Sequence, residues 1–459
     1  MMKEIIKTIN PTTEQIIQEY EYHTTSQIRE IIDSVALGHE DWKQQSLKIR
    51  LNFILILSTQ LSKRKNELAL IVTEEMGKPI SQSISEINKC ISLCEYYINN
   101  SENFLKPNFI ETNYSTSYYT HAPLGIIFGI MPWNFPIWQV MRYAIPNLII
   151  GNSILLKHSL NTSGVSLILE ELFKTSLPKN LFRSLFIKNE TAELIIKDSN
   201  VAGVTITGSK RAGADVAMKA GANIKKTVLE LGGNDPYIIL DDANIDLAAE
   251  ECVKSRLLNT GQVCIAAKRI IVCESVRCEF EKKLIKLVQE YGYTNPNLHD
   301  SKLGPLARKD IQNNLQYQVQ KSLDQGSNCI YKNTIPEGIG YYFPVTILNN
   351  VDKNNIAFKE ELFGPIFCIT SVKNEKDAIK YANMSEYGLS AVVFTQNIKK
   401  GADICLNQLN FGTCNLNKMV SSDPKLPFGG VKNSGYGREL SAVGLKEFAN
   451  MKTININKN

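Results

Sequence analysis

The sequence predicts an α/β protein built on two mostly parallel sheets, and three observations carry that prediction. From residue 124 to residue 207, short apolar strands alternate with helices in the rhythm of βαβ units. A second series of the same kind starts near Pro236. Ahead of the first series, residues 113–123 turn into polar text rich in Tyr and Thr, which reads as an extended segment interrupting the helical and α/β text on either side.

Taken in order, residues 26–99 place apolar side chains three or four apart (Ile28, Ile31, Ile32, Val35), which predicts long amphipathic helices. After the extended segment come strands at 124–130, 153–157, 185–187 and 203–207, with helices at 138–150, 165–177 and 192–197 between them. The second series has strands at 237–240, 270–273 and 366–372, which puts a seam between two units near residues 231–235. The last stretch, 448–456, alternates apolar and polar residues (Met451, Thr453, Ile454, Asn455, Ile456) and predicts a terminal strand. No internal repeat or low-complexity block is present.

Composition sets the outer limits. With 459 residues, 43% apolar and 21% charged, the chain is no collagen-like or disordered protein and should form about two or three domains. Its 51 Lys and Arg against 46 Asp and Glu leave +5, scattered rather than massed, so no nucleic-acid groove is expected. The first residues lack a secretory apolar core, and the most apolar region, 123–141, is broken by Pro132, Asn134 and Pro136 well short of the roughly 18 residues that a membrane span needs. A cytoplasmic protein is expected, with its ten Cys as reduced thiols. The five His are far apart and no HExxH or paired CxxC occurs, so no metal site is expected.

Four places suggest chemistry. No GxGxxG or GxxxxGK[ST] is present, but Gly208 and Gly213 in ITGSKRAG open a helix whose amides face either a phosphate or plain solvent at an ordinary helix start. Cys264, in NTGQVCIAAKR, has small and polar neighbours; it is a reactive thiol or a buried inert one. Glu230, in VLELGGNDP, ends a helix or strand in apolar company that would raise its pKa, as a general base requires. Asn134, in MPWNFP, either donates to a developing oxyanion or caps a helix that Pro136 starts.

Those motifs fall in the order of one family. The chain resembles the aldehyde dehydrogenases in MPWNFP at 131–136, ITGS at 206–209, LELGG at 229–233, GQVC at 261–264, EELFGP at 360–365 and PFGGVKNSGYGRE at 427–439. The 34 residues from Glu230 to Cys264 (264 − 230) match the family's spacing, and the resemblance spans nearly the whole chain. Within the family, LLKHS, NTGQVC and FGGVKNSG are closest to the short bacterial succinate-semialdehyde dehydrogenases.

The resemblance implies an aldehyde dehydrogenase-like fold of two Rossmann-like parallel-sheet domains with a β oligomerisation arm. A coenzyme-binding domain would take residues 1–103 and 124–232, the arm 104–123, a catalytic domain 233–433, and a return segment with an oligomerisation strand 434–459. It also implies a homodimer or homotetramer, acting on a small-molecule aldehyde without nucleic acid or membrane partners. Cys264 becomes the nucleophile, Asn134 with the Cys264 backbone N–H the oxyanion site, and Glu230 the base that activates the hydrolytic water. Met131, Trp133, Lys157, Gly208, Ser209, Gly213, Leu231, Glu361 and Phe363 are the implied cofactor contacts. NAD is expected, with NADP as the alternative, because Leu160 stands where many NAD-specific relatives carry a Glu.

For substrate, Arg142 matches an arginine that binds the carboxylate in succinate-semialdehyde relatives, with a solvated helix arginine as the alternative reading. A second arginine of some relatives is Leu258 here. Ser421 and Ser422 are candidate hydroxyl donors, and Phe428 would wall the tunnel. Ala266 replaces a second Cys found in some relatives, so no disulfide switch is expected. The implied reaction is oxidation of succinate semialdehyde to succinate, with another aliphatic, aromatic or amino aldehyde as the alternative. A non-catalytic protein on this fold would be expected to have lost Cys264 or Glu230, and a cofactor-free cysteine hydrolase would need a His partner that none of the motifs contains.

Overall fold

A computed structural model describes residues 4–458. Four helices fill the stretch the periodicity marked: Thr25–Lys43, Leu47–Lys63, Lys65–Met76 and Ile80–Phe104. Their boundaries follow local chemistry. Thr24 and Gln27 form a reciprocal capping box, Ser46 caps the second helix, and Gly77 ends the third at φ +77° in the left-handed region. An N-terminal hairpin, Ile5–Ile9 with Ile16–Glu21, precedes them.

Two sheets organise the rest. The first has spatial order Gly435–Tyr436, Lys226–Glu230, Val201–Thr207, Ile126–Met131, Ser153–His158, Phe182–Ser184, parallel except for the antiparallel Gly435–Tyr436 edge. The second runs Asn328–Lys332, Thr346–Asn349, Ile366–Val372, Arg269–Cys273, Pro236–Ile239, Ser390–Phe394, Thr413–Leu416, with only Asn328–Lys332 antiparallel. Both sheets bury apolar strands under helices on each side, as continuous runs such as Ile126–Met131 require.

One strand expectation is corrected. The strand placed at 185–187 lies at Phe182–Ser184. The Leu185 N–H makes one last bond to Leu156 O at 2.7 Å; beyond it, Phe186 exchanges hydrogen bonds with His23. Leu185 and Ile187 are buried in the core without belonging to the ladder, so their apolar character misled the pattern.

The Tyr/Thr-rich stretch forms Thr116–Pro123, which pairs antiparallel with Asn108–Phe109 on one side and with the terminal strand Ala449–Ile456 on the other. This small sheet exposes Phe109, Ile110, Met451 and Ile456. Among the described residues no helix is long and apolar enough to cross a membrane.

Candidate active site

Parallel strands end on the same side, and ligands of such sheets gather beyond those ends. Ile126–Met131 leads into the loop holding Asn134, Val201–Thr207 into the turn of Gly208 and Ser209, and Lys226–Glu230 into Leu231 and Gly232. Ser209 caps the helix Lys210–Ala222, its Oγ accepting from the Ala212 N–H at 3.3 Å. Opposite these ends, the segment before Arg269–Cys273 carries Cys264.

The Cys264 segment is strained and then pinned. Asn259, Thr260 and Gly261 take successive φ values of +50°, +53° and +78°, and for β-branched Thr260 that region is sterically costly. The Thr260 hydroxyl holds it, donating to Gly304 O at 2.9 Å and accepting from Gly304 N–H at 3.0 Å. A Cβ on Gly261 would stand 2.2 Å from Gly364 O, so only glycine fits. Asn259 Nδ2 donates to Asn134 O at 2.9 Å, Asn134 Nδ2 donates to Gln262 O at 3.0 Å, and Gln139 Nε2 donates to Asn134 Oδ1 at 3.1 Å. The Asn134 loop and the Cys264 segment are therefore one hydrogen-bonded unit.

Asn134 is thus no helix cap, and the helix Trp138–Ile150 starts two residues after Pro136. Its first amides are satisfied from another helix: Glu86 Oε1 accepts from Ile137 N–H at 2.9 Å and Trp138 N–H at 2.8 Å, while Lys78 pairs with the other oxygen. Asn134 Nδ2 has a second hydrogen beyond the one given to Gln262, and the Cys264 backbone N–H makes no hydrogen bond among the described residues. Both donors remain for an oxyanion.

Two cavities meet at Cys264, which lines both. One is walled by Trp133, Asn134, Thr207, Gly208, Ser209, Leu231, Gly232, Glu361 and Phe363. The other is apolar over most of its wall (Phe135, Trp138, Leu258, Val263, Phe428) and holds Lys89, Arg142, Ser421 and Ser422. Burial pushes the Cys264 thiol up to about 11, against the pull of Lys268 and Arg142. Lys268 also donates to Cys264 O and pairs with Glu361 at 2.9 Å, tying the Cys264 segment to Glu361 in the wall of the first cavity.

Glu230 is buried at the end of its strand, and its Oε1 has no hydrogen-bond partner among the described residues. Burial, and next the nearby Glu439 carboxyl, hold its pKa well above the ordinary carboxylate range. It lies outside the lining of both cavities, against Gly429, where an added Cβ would stand 2.7 Å from Glu230 Oε1. Glu439 forms an ion pair with Arg142, whose guanidinium stacks 4.9 Å from the Phe428 ring centroid and approaches Thr207 Oγ1 at 3.5 Å.

The structure therefore brings Cys264, Asn134, Trp133, Gly208, Ser209, Leu231, Glu361 and Phe363 together in one cleft, and Arg142, Ser421, Ser422 and Phe428 in the other. Three further expected cofactor contacts do not line the cleft wall. Met131 is packed in the core, and Gly213 serves close packing, since a Cβ there would meet Leu231 Cδ2 at 2.5 Å. Lys157 ends the strand beside Ile130 and Met131, outside the cavity wall, and has no ion-pair or hydrogen-bond partner among the described residues. The reading of Arg142 as a solvated arginine is corrected: it is buried and committed to Glu439. Of the serines, Ser421 is exposed, whereas Ser422 is buried and accepts from Lys89 Nζ at 2.6 Å.

Sequence reasoning passed over Glu439 and Lys89. Glu439 closes the PFGGVKNSGYGRE motif and was available to a closer reading. Lys89 lies mid-helix, 333 positions from Ser422, with no local signal.

Taken with this geometry, the comparisons assign the class: the aldehyde dehydrogenase family model matches residues 2–454, and the chain belongs to that family. It is similar to the succinate semialdehyde dehydrogenase [NAD(P)+] Sad of Escherichia coli K12, 39% identical over 450 residues that cover 97% of each chain. It is also similar to the succinate-semialdehyde dehydrogenase [NADP(+)] of Deinococcus radiodurans, 37% identical over 97% of this chain and 94% of that protein. A crystal structure of succinic semialdehyde dehydrogenase from Streptococcus pyogenes in complex with NADP+ superposes with a TM-score of 0.96 at 33% identity, covering 99% of this chain and 100% of that one.

Proposed function

We propose that this chain oxidises succinate semialdehyde to succinate through a thioester on Cys264, using NAD or NADP. The observation that carries the reading is the position of Cys264, where a cleft holding the Asn134 amide, the Gly208–Ser209 turn and the Glu361 carboxylate meets an apolar pocket equipped with cations. The names of similar proteins support the choice of substrate and of both cofactors.

The donor set fits a nicotinamide dinucleotide. Gly208 leaves the cleft open, with nothing nearer than 3.8 Å to where a Cβ would stand, beside the N-terminus of a 13-residue helix. Glu361 offers a carboxylate to ribose hydroxyls from the cleft wall, and Lys157, pushed down to about 8 by burial, ends the strand beside the one that leads to Asn134 and would meet a dinucleotide that extends past the cleft wall. Leu160 adds no carboxylate to repel a 2′-phosphate. Bound there, the nicotinamide supplies the hydride acceptor.

The chain's own residues do the rest. The Cys264 thiol gives its proton to solvent water and its sulfur bonds to the carbonyl carbon, moving the C=O π pair onto oxygen. Asn134 Nδ2 and the Cys264 N–H stabilise that oxyanion. Loss of hydride from the same carbon restores the C=O as a thioester. Glu230, swung from its seat beside Gly429, takes a proton from water; hydroxide adds to the thioester carbon and the C–S bond breaks, returning the thiolate and releasing the acid. We assign the sheet of Thr116–Pro123 and Ala449–Ile456 as the arm through which copies associate, since its apolar edge residues are exposed; sedimentation as a monomer with the arm intact would refute that.

The test is steady-state kinetics on succinate semialdehyde and butanal with each cofactor. Succinate semialdehyde is expected to have the higher kcat/KM. A preference for butanal overturns the substrate assignment while leaving aldehyde oxidation intact.

A further inference from the structure

We propose that Lys89 is the specificity-determining cation of the pocket, its ammonium receiving the carboxylate of an ω-carboxy aldehyde whose carbonyl lies at Cys264. The inference rests on the substrate reading above and names the side chain that reads the charge. Two cations line the pocket, and they differ in what they already hold. Arg142 is ion-paired with Glu439 and stacked on Phe428. Lys89 has no carboxylate within ion-pair distance among the described residues. Its Nζ donates to Ser422 Oγ at 2.6 Å and sits 4.4 Å from the Trp138 ring centroid.

An ammonium has three N–H donors, and Ser422 accounts for one. Both contacts are neutral, so they aim the charge without cancelling it. A half-buried cation left in that condition is incompletely compensated, and an anionic ligand removes the deficit. The remaining walls match the rest of such a substrate: Leu258, Val263, Ile265 and Met419 offer apolar surface to methylenes between Lys89 and Cys264.

The electrostatics agree with an anion site. Burial pushes the Lys89 ammonium down to about 8, and Arg142 across the pocket acts in the same direction. Cys90 and Glu86 on its own helix and Asp423 on the facing loop oppose this. Lys89 is therefore charged below about pH 8 and loses its charge above it, so preference for an anionic aldehyde over a neutral one should be full on the acid side and decline on the alkaline side.

The experiment measures the ratio of kcat/KM for succinate semialdehyde to that for butanal in the wild type, Lys89→Met and Lys89→Arg from pH 7 to 9.5. The ratio cancels effects on Cys264 and Glu230, which act on both substrates. Lys89→Met should lower the ratio roughly 10- to 100-fold at pH 7, mainly through KM for the anionic substrate, the range for losing one partner of a partly buried charge pair. Lys89→Arg should keep most of the ratio and hold it level where the wild type declines. The inhibition constant of succinate against butanal oxidation should rise by a similar factor in Lys89→Met. An unchanged ratio or an equal loss on both substrates in Lys89→Met overturns the proposal, as does a wild-type ratio flat to pH 9.5, a measurement that needs no variant to fold. A wild type that prefers butanal removes the substrate reading before any variant is compared.

Discussion

Replacing Arg142 with Met removes a positive charge that acts on two buried carboxyls. Glu439 is its ion-pair partner, and Glu230 is a second carboxyl whose pKa Arg142 lowers against the effects of burial and Glu439. With charge centres about 4 Å apart and an effective dielectric near 20, the Coulomb attraction of the pair is ~4 kcal/mol before desolvation is counted, and removing one partner, which leaves the other charge buried and unpaired, destabilises by about 3–5 kcal/mol. The pH dependence follows from the sign of the shift. Glu439 already titrates above the ordinary carboxylate range, so its burial costs nothing below about pH 4 and costs progressively more as pH climbs through its folded pKa. Without Arg142 that pKa rises further, so the stability gap between variant and wild type should be small near pH 5 and widest at pH 8.5. Thermal unfolding at the two pH values measures it. Turnover of succinate semialdehyde and butanal should fall together, because Glu230 serves both. A pH-independent gap refutes the charge argument; a selective loss on the anionic aldehyde makes Arg142 the carboxylate clamp that the family resemblance implied.

Two further outcomes are expected. Glu230→Gln should still form the acyl-enzyme, giving a rapid burst of about one reduced cofactor per site and then slow turnover, whereas Cys264→Ala should give neither phase; loss of the burst in Glu230→Gln would assign Glu230 an earlier step. Gly261→Ala forces a Cβ to within 2.2 Å of Gly364 O at a φ of +78°, so it should displace Cys264 and cost on the order of 100-fold in kcat while dinucleotide affinity changes little. Cofactor fluorescence titration beside kinetics separates the two effects, and wild-type kcat in that variant would show the turn to be permissive.

Much of this was legible in the residues, for identifiable reasons. Strands buried on both faces, such as Ile126–Met131 and Ser153–His158, read as continuous apolar runs, and the long helices keep a regular spacing. Residues 185–187 show the limit: apolar side chains can enter the core without joining a ladder. The hairpin Ile5–Ile9 and Ile16–Glu21 carries too weak an alternation to stand out. At the site, Cys264, Glu230 and Asn134 lie in contiguous motifs, so their company singles them out as candidates. What motifs cannot carry is pairing at a distance. Arg142 and Glu439 are nearly three hundred residues apart, and their ion pair alters what each is free to do. The same holds for Met131 and Gly213, whose places in the motifs are right but whose neighbours are core atoms.

The charges around Cys264 then divide into two groups with different tasks. Arg142 is flanked by Glu439 and by Glu230, and a guanidinium so engaged has little net field left for a ligand. Its effect is internal, keeping Glu230 from rising further out of the range in which a base is useful while Glu439 and burial push it upward. Were Arg142 also to bind the substrate carboxylate, each binding event would weaken its hold on Glu439 and raise the pKa of the base just before hydrolysis needs it. A separate cation avoids that conflict. Lys89, seated on Ser422 and Trp138 and free of any carboxylate within ion-pair reach among the described residues, can gain and lose an anion without disturbing Glu230. Recognition of charge and tuning of the base are therefore assigned to different side chains of one pocket.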